Sequence, residues 1–136
     1  MEKLSVILSR KQSSFHHISS SCAVSDAISK MRCQNIDYLV VMDDNNQFAG
    51  LISDHEITEK AMMANMPLSK TMVCDVMNNS LPHADATDTI ECCMKMMQRH
   101  HTRFVPVFED FNFIGVISSE DILQEAVYNR LEIFDV

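Results

Sequence analysis

The serine–acid pairs Ser53–Glu56 and Ser118–Asp121 are the residues of this chain whose types and spacing could do chemistry. Each pair follows a short apolar run that contains a glycine, where a strand is expected to pass into a helix. An ionised carboxylate can accept two hydroxyl groups, and a helix N-terminus favours an anion. The same spacing is that of a capping box, in which the two side chains only close the helix start. The residues alone leave both interpretations open.

The two pairs lie in two copies of one sequence block, residues 48–57 and residues 113–122. The chain has only two glycines, Gly50 and Gly115, and both occupy the same place in the block. Helix-like and strand-like segments before each block also match, at an offset of about 65 to 69 residues, which is too long for a solenoid unit. The sequence therefore predicts an internal duplication.

The same order of elements is predicted in both copies. In the first copy we expect a strand at 15–18, a helix at 23–33, strands at 38–42 and 47–52, and a helix from 54 to about 65. In the second copy we expect a strand at 80–83, a helix from 87 or 88 to 100, strands at 103–108 and 111–117, and a helix at 119–131. Short helical turns are expected at 4–9 and 73–77. Because neither copy would close a core alone, the predicted fold is α/β, with two β-α-β-β-α repeats packed about a pseudo-twofold axis.

Composition limits the partners. The chain has 136 residues, 46% of them hydrophobic, which favours a packed core over disorder. The formal net charge of -8 disfavours a phosphate backbone or an anionic membrane face, so we expect no nucleic-acid partner and no membrane partner. No apolar stretch approaches the ~20 residues of a membrane span. The N-terminus lacks the layout of a signal peptide, and we expect a cytoplasmic protein.

Neither a catalytic site nor a metal site is predicted. The chain has no Gly-x-Ser-x-Gly motif and no glycine-rich phosphate loop, so we do not expect an enzyme. The side chains that invite a metal hypothesis are His16, His17, His100, His101, Cys33, Cys74, Cys92 and Cys93. No Cys-x-x-Cys or His-x-x-x-His spacing makes a chelate of them, so no metal is expected. The odd count of five cysteines indicates reduced, buried thiols.

Each copy resembles a CBS domain, and the two together resemble the tandem pair called a Bateman module. The resemblance is carried by Ala27-x-x-x-Met31 before residues 38–41, by Met97 before residues 104–107, and by the two Gly-containing blocks that end in Ser-x-x-acid. It covers the chain from about residue 4 to residue 127. The resemblance implies CBS repeat 1 at residues 1–66 and CBS repeat 2 at residues 67–136. It also implies a stand-alone regulatory pair rather than an enzyme.

The resemblance implies a ligand and partners as well. CBS pairs commonly bind an adenosine-containing ligand, such as AMP, ADP, ATP or S-adenosylmethionine, in clefts between the repeats, and they commonly form homodimers. We therefore expect no required cofactor, a possible bound nucleotide of this class, a homodimer, and a regulated protein partner whose identity the sequence does not give. The alternative is a ligand-free scaffold that mediates dimerisation or interaction.

The resemblance also assigns ligand-binding residues. In the cleft of the second block, Asp121 would take the ribose hydroxyls, Ser118 the phosphate, with Arg103 in support, while Phe104, Val105 and Ile18 would pack the base and His17 would help to complete the cleft. The weaker cleft would use Ser53, Glu56, His55, Tyr38, His83 and Ala84. There Glu56 replaces the usual aspartate, and His55 stands where many relatives carry a basic residue, so occupancy is less expected.

Overall fold

The computed structural model describes residues 2–11 and 15–129. The elements are α1 (Leu4–Arg10), β1 (His17–Ser19), α2 (Val24–Gln34), β2 (Tyr38–Met42), β3 (Phe48–Ser53), α3 (Asp54–Glu56, continued by a π-helical segment Ile57–Met62), a 3-10 turn (Val73–Asp75), β4 (Ala84–Asp85), α4 (Ile90–His100), β5 (Phe104–Glu109), β6 (Asn112–Ser118) and α5 (Ser119–Asn129). The strands form two three-stranded sheets, ordered β1-β2-β3 and β4-β5-β6. In each sheet the first pair of strands is parallel and the second pair antiparallel. The predicted α/β class with two β-α-β-β-α repeats is confirmed.

Helical periodicity places the same kind of apolar stripe against each sheet. In α2 the buried residues are Val24, Ala27 and Met31, and in α4 they are Ile90, Cys93 and Met97. These residues recur every three or four positions, which puts them on one helix face. Ile28 and Met94 are only partly buried against the same cores, and of the cysteines predicted to be buried, Cys33 and Cys92 are exposed.

One predicted strand is wrong. Residues 80–83 form no strand, and β4 begins at Ala84, which pairs with Val107. Pro82 has no N–H to donate to a ladder, and the Ser80 N–H is already bonded to Asn78 Oδ1 at 3.0 Å. The parallel pairing with β5 therefore starts only beyond this turn.

Two helices differ in extent from the prediction. α4 starts at Ile90 rather than at 87 or 88, because Thr89 is its N-cap and its Oγ1 accepts the Cys92 N–H at 3.3 Å. The first-repeat helix stops at Met62 rather than at residue 65. Residues 130 and 131, the predicted end of the last helix, lie outside the described residues. The other boundaries differ from the predicted ones by a few residues.

The chain divides into two compact units that do not coincide with the sequence repeats. One unit is residues 15–80, and the other combines the start of the chain with residues from 81 onward. In the second unit, Leu4, Ile7 and Leu8 of α1 belong to the core built on β5 and α4. In the first unit, Val73 and Val76 belong to the core built on β2 and α2. The predicted boundary between residues 66 and 67 concerns the repeats and stays a prediction.

Each glycine lies where one of these added segments approaches the sheet. A Cβ on Gly50 would lie 2.6 Å from the backbone oxygen of Asn78. A Cβ on Gly115 would lie 3.0 Å from a methyl carbon of Leu8. Gly50 thus allows the Asn78 backbone to approach the sheet closely, and Gly115 allows the Leu8 side chain to do so.

Candidate functional site

The serine–acid pair of the second unit closes the start of α5. Ser118 is the last residue of β6 and pairs with Phe104 of β5, so the sheet fixes its backbone. The Ser118 N–H donates to Asp121 Oδ2 at 2.8 Å, and the Asp121 N–H donates to Ser118 Oγ at 3.1 Å. This is a reciprocal capping box. The capping box that the sequence allowed is therefore formed. It does not use every lone pair of the Ser118 and Asp121 side-chain oxygens.

Asp121 has a second partner that the sequence gave no reason to expect. The ammonium of Lys11 donates to Asp121 Oδ2 at 2.8 Å and to the backbone oxygen of Val116 at 2.9 Å. The Asp121 side chain keeps 14% of its surface exposed and that of Lys11 31%. Both bonds of the Asp121 carboxylate use Oδ2, and so among the described residues Oδ1 is the oxygen left for a further donor.

A cavity of about 420 Å³ opens beside this ion pair, between α1 and α5. Its lining residues are Ile7, Arg10, Lys11, Asp121, Gln124 and Glu125. The Arg10 guanidinium bonds to the buried Glu125 and to both oxygens of Glu2, at 2.8 and 2.9 Å. The hydrogen bonds from Arg10 lower the pKa of Glu2. The end of α1 therefore holds two cations against carboxylates of α5.

The other residues predicted for this cleft lie around the β5–β6 pair. The Arg103 guanidinium carbon is 5.4 Å from the Phe104 ring centroid, within the range of a cation–π contact. The backbone oxygen of Arg103 accepts the Ser119 N–H at 2.9 Å, which ties the start of β5 to the start of α5. Val105 is fully buried in the core of the unit. The structure thus brings Ser118, Asp121 and Arg103 to one end of the sheet, with the Val105 side chain packed inside.

The remaining residues predicted for this cleft belong to the other unit. His17 is exposed and Ile18 is buried, both on β1 in the unit of residues 15–80. The first cleft is divided in the same way, since His83 and Ala84 belong to the second unit. The His83 ring there stacks on Phe108 with centroids 4.7 Å apart, and Ala84 is buried. A cleft that joins the two sets of residues stays a prediction.

The serine–acid pair of the first unit is closed on itself. The Ser53 hydroxyl donates to Glu56 Oε1 at 2.6 Å, and the Ser53 N–H donates to the same oxygen at 2.8 Å. Both side chains are buried. His55 points its Nε2 to Glu59 at 2.8 Å, and Tyr38 pairs with Ser53 across the sheet. The hydroxyl proton that a ligand phosphate would need is already used here.

The two blocks therefore differ in hydrogen-bonding capacity. In the second block the Ser118 hydroxyl serves as an acceptor, and among the described residues its own O–H remains available to donate. In the first block the equivalent proton goes to Glu56. Among the described residues, the second block therefore keeps a hydroxyl donor that the first block uses within its own cap.

Two further findings bear on function. Within residues 2–11 and 15–129, no group of three His, Cys, Asp or Glu side chains is placed to hold a metal ion. The expectation of no metal stays a prediction. No helix in the part of the chain that the structure describes is long and apolar enough to cross a membrane.

Two α/β repeats, each with a serine–acid pair at the same helix start, have the arrangement of a tandem pair of CBS domains. The model of the CBS domain matches the chain twice, at residues 11–62 and 73–128, and the chain belongs to this family. Pairs of CBS domains are typically regulatory modules that sense a ligand, and proteins built only of them are typically non-catalytic.

Several proteins are similar to this chain. Hypoxic response protein 1 of Mycobacterium tuberculosis is 25% identical over 92 residues, which cover 68% of this chain and 64% of that protein. The mitochondrial CBS domain-containing protein CBSX3 of Arabidopsis thaliana is 27% identical over 113 residues, 80% of this chain and 55% of that protein. This chain thus spans less than two thirds of the length of these relatives.

Solved structures share the fold. The crystal structure of the CBS-domain protein NE2398 matches with a TM-score of 0.85 at 26% identity, over 93% of this chain and 98% of that one. A structure of hypoxic response protein 1 with two coordinated zinc ions matches with a TM-score of 0.78 at 21% identity, over 92% and 99% of the two chains. The zinc ions are a property of that structure.

Proposed function

We propose that this chain is a regulatory module that binds an adenosine-containing ligand, of the class of AMP, ADP, ATP or S-adenosylmethionine, at the Ser118–Asp121 block. Binding changes the geometry of the module and thereby regulates a protein partner. The observation that carries the proposal is the state of the block, in which Asp121 Oδ1 and the Ser118 O–H are not used by the described residues.

The chemistry of the block suits each part of such a ligand. The two lone pairs of Oδ1 can accept the ribose 2′- and 3′-hydroxyls, because an ionised carboxylate has about four lone-pair sites and Oδ2 uses two of its own. The Ser118 hydroxyl and the N-terminus of the 11-residue helix α5 favour an anionic group. Arg103 adds a positive charge at the same end of the sheet. These features support the second block over the first.

The test is titration calorimetry with AMP, ADP, ATP and S-adenosylmethionine on the wild-type chain and on Asp121→Asn. The asparagine oxygen can still accept the Ser118 N–H, so the cap survives while the charge is lost. Hydrogen bonds to a charged group contribute about 1.5–3 kcal/mol, so we expect affinity to fall roughly tenfold or more. The matched control is Glu56→Gln in the other block, which should leave affinity unchanged. Equal affinity in Asp121→Asn would remove this residue from the site.

A ligand-free dimerisation scaffold is the second candidate, and two observations favour it. The Ser53 hydroxyl of the first block is already bonded to Glu56, and apolar side chains are exposed on or directly after the helices that follow both blocks. These exposed side chains are Met62, Met63, Leu123 and Val127. The predicted homodimer would be measured by light scattering on the wild-type chain and on Leu123→Lys.

A thermal-shift screen separates the two candidates. A ligand at ~100 times its dissociation constant stabilises the native state by roughly 2.7 kcal/mol, which raises the melting temperature. The nucleotide proposal expects such a shift with at least one adenosine compound. Two results together would support the scaffold instead. No adenosine compound would shift the melting temperature at millimolar concentration, and Leu123→Lys would convert the dimer to a monomer.

A further inference from the structure

We infer that Lys11 is a positioning residue for ligand binding: it holds the Asp121 carboxylate in the orientation that presents Oδ1 to the ligand. The inference rests on the function proposed above. It assigns a role to the first segment of the chain, although the resemblance locates the ligand residues of this cleft at residues 17–18, 103–105 and 118–121.

The geometry of the Lys11 ammonium carries the inference. Its Nζ lies 2.8 Å from Asp121 Oδ2 and 2.9 Å from the Val116 backbone oxygen. The second contact is to β6, the strand that leads into the block, so the ammonium is anchored to the same sheet that fixes Ser118. A charge-assisted hydrogen bond of this length is stronger than a neutral one and restricts the rotation of the carboxylate.

The hydrogen-bond count shows that Lys11 supports Asp121 without competing for the ligand. Oδ2 accepts both the Ser118 N–H and the Lys11 ammonium, which fills its two lone pairs. Oδ1 keeps both of its own. Without Lys11, the Ser118 N–H alone would hold the carboxylate, which could then rotate about its single remaining contact and exchange its two oxygens.

The placement of Lys11 is itself fixed by packing. Lys11 is the residue directly after α1, and its N–H bonds to the Ile7 backbone oxygen at 3.1 Å. Leu4, Ile7 and Leu8 bury the other face of α1 in the core. Lys11 and Asp121 are 110 residues apart in the chain. The packing of α1 against the core therefore places the Lys11 ammonium beside the Asp121 carboxylate.

The experiment measures affinities of Lys11→Met for three ligands by calorimetry: AMP, adenosine and 2′,3′-dideoxyadenosine monophosphate. Methionine keeps the length of the side chain and removes the charge. We expect AMP and adenosine to bind roughly tenfold more weakly than to the wild-type chain, by the same factor for both. We expect the dideoxy compound, which has no hydroxyls for Asp121, to bind both proteins equally. The double variant Lys11→Met/Asp121→Asn should bind AMP no more weakly than Asp121→Asn.

Controls separate positioning from loss of structure. Lys95→Met removes a lysine that pairs with Glu91 on the surface of α4, and it should leave all three affinities unchanged. Lys11→Arg keeps the charge and should restore most of the AMP affinity. If Lys11→Met fails to fold, as judged by its melting curve, Lys11→Gln takes its place.

Each other result overturns the inference. A larger loss for AMP than for adenosine would show that Lys11 contacts the phosphate directly. An equal loss for AMP and its dideoxy form would show that Lys11 does not act through the ribose hydroxyls. If the wild-type chain binds AMP and Lys11→Met binds it with the same affinity, the inference is wrong while the proposed function stands. Absence of binding to the wild-type chain would overturn the proposed function and the inference with it.

Discussion

Replacement of Gly50 by alanine tests how tightly the segment after the first repeat is held against β3. The added Cβ would lie 2.6 Å from the Asn78 backbone oxygen and 3.2 Å from its carbonyl carbon. A favourable carbon–oxygen contact needs more than 3 Å, so one of the two backbones must move by roughly half an ångström or more. Gly50 lies inside β3, paired with Val41, which leaves the Asn78 segment as the part that moves.

The cost follows from what holds Asn78. Its backbone exchanges two hydrogen bonds with Leu51: the Leu51 N–H donates to the Asn78 oxygen at 3.0 Å, and the Asn78 N–H donates to the Leu51 oxygen at 2.7 Å. A displacement of this size breaks or strains both bonds, and each contributes about 1 kcal/mol. We therefore expect Gly50→Ala to lower the free energy of unfolding by about 2 kcal/mol.

Urea unfolding followed by circular dichroism measures this loss. With a slope of about 1–3 kcal/mol/M, the midpoint should fall by roughly 1 M. Asn78→Ala is the matched control, because it removes the side chain and keeps the backbone atoms that meet the new methyl group. Its loss should stay under about 1 kcal/mol. A Gly50→Ala chain within ~0.5 kcal/mol of the wild type would refute the contact, since exposed sites without special features give changes of that size.

Two further predictions concern α4. Burial raises the pKa of the Cys93 thiol to about 12 from the ordinary value of 9.0, so the stability that it contributes is complete below pH 9 and is lost as pH rises towards 12. Between pH 8 and pH 10 the wild-type chain should lose about 1.4 kcal/mol more than Cys93→Ala in urea unfolding, and equal losses would contradict a buried neutral thiol. Thr89→Ala removes the N-cap bond to the Cys92 N–H and should lower the free energy of unfolding by about 1 kcal/mol, measured in the same way against Thr87→Ala. An unchanged midpoint would show that the cap contributes nothing.

Local patterns were sufficient to predict most of the fold. Helical spacing predicted the buried face of α2, and the duplicated block predicted the same order of helices and strands along the chain in both repeats. The two-residue strand β4 was misplaced because so short a strand has no period of its own, and its position is set by pairing with β5. A pairing partner is a tertiary property that propensity does not report.

The candidate site was predictable only where it is local. The serine–acid spacing located both helix starts, and the choice between a cap and a ligand site depended on atoms that the spacing does not fix. Lys11 was missed because its partners are more than 100 residues away and no motif links them. The equivalence of residues 4–8 with residues 73–77 was visible, yet it did not reveal which unit each segment packs against.

The difference between the two blocks follows from one methylene group. Glu56 is long enough to turn its Oε1 back towards both the Ser53 N–H and the Ser53 hydroxyl, so one carboxylate oxygen takes up both donors of the serine. Asp121 reaches the Ser118 N–H, while the Ser118 hydroxyl accepts from the Asp121 N–H instead of donating to the carboxylate. The shorter acid therefore leaves the hydroxyl proton of Ser118 unused by the described residues at the start of α5, whereas the longer acid takes the hydroxyl proton of Ser53. Both blocks cap their helices, but a hydroxyl donor that is already bonded gains little from a new partner, so the second block is the one that we propose as the ligand site.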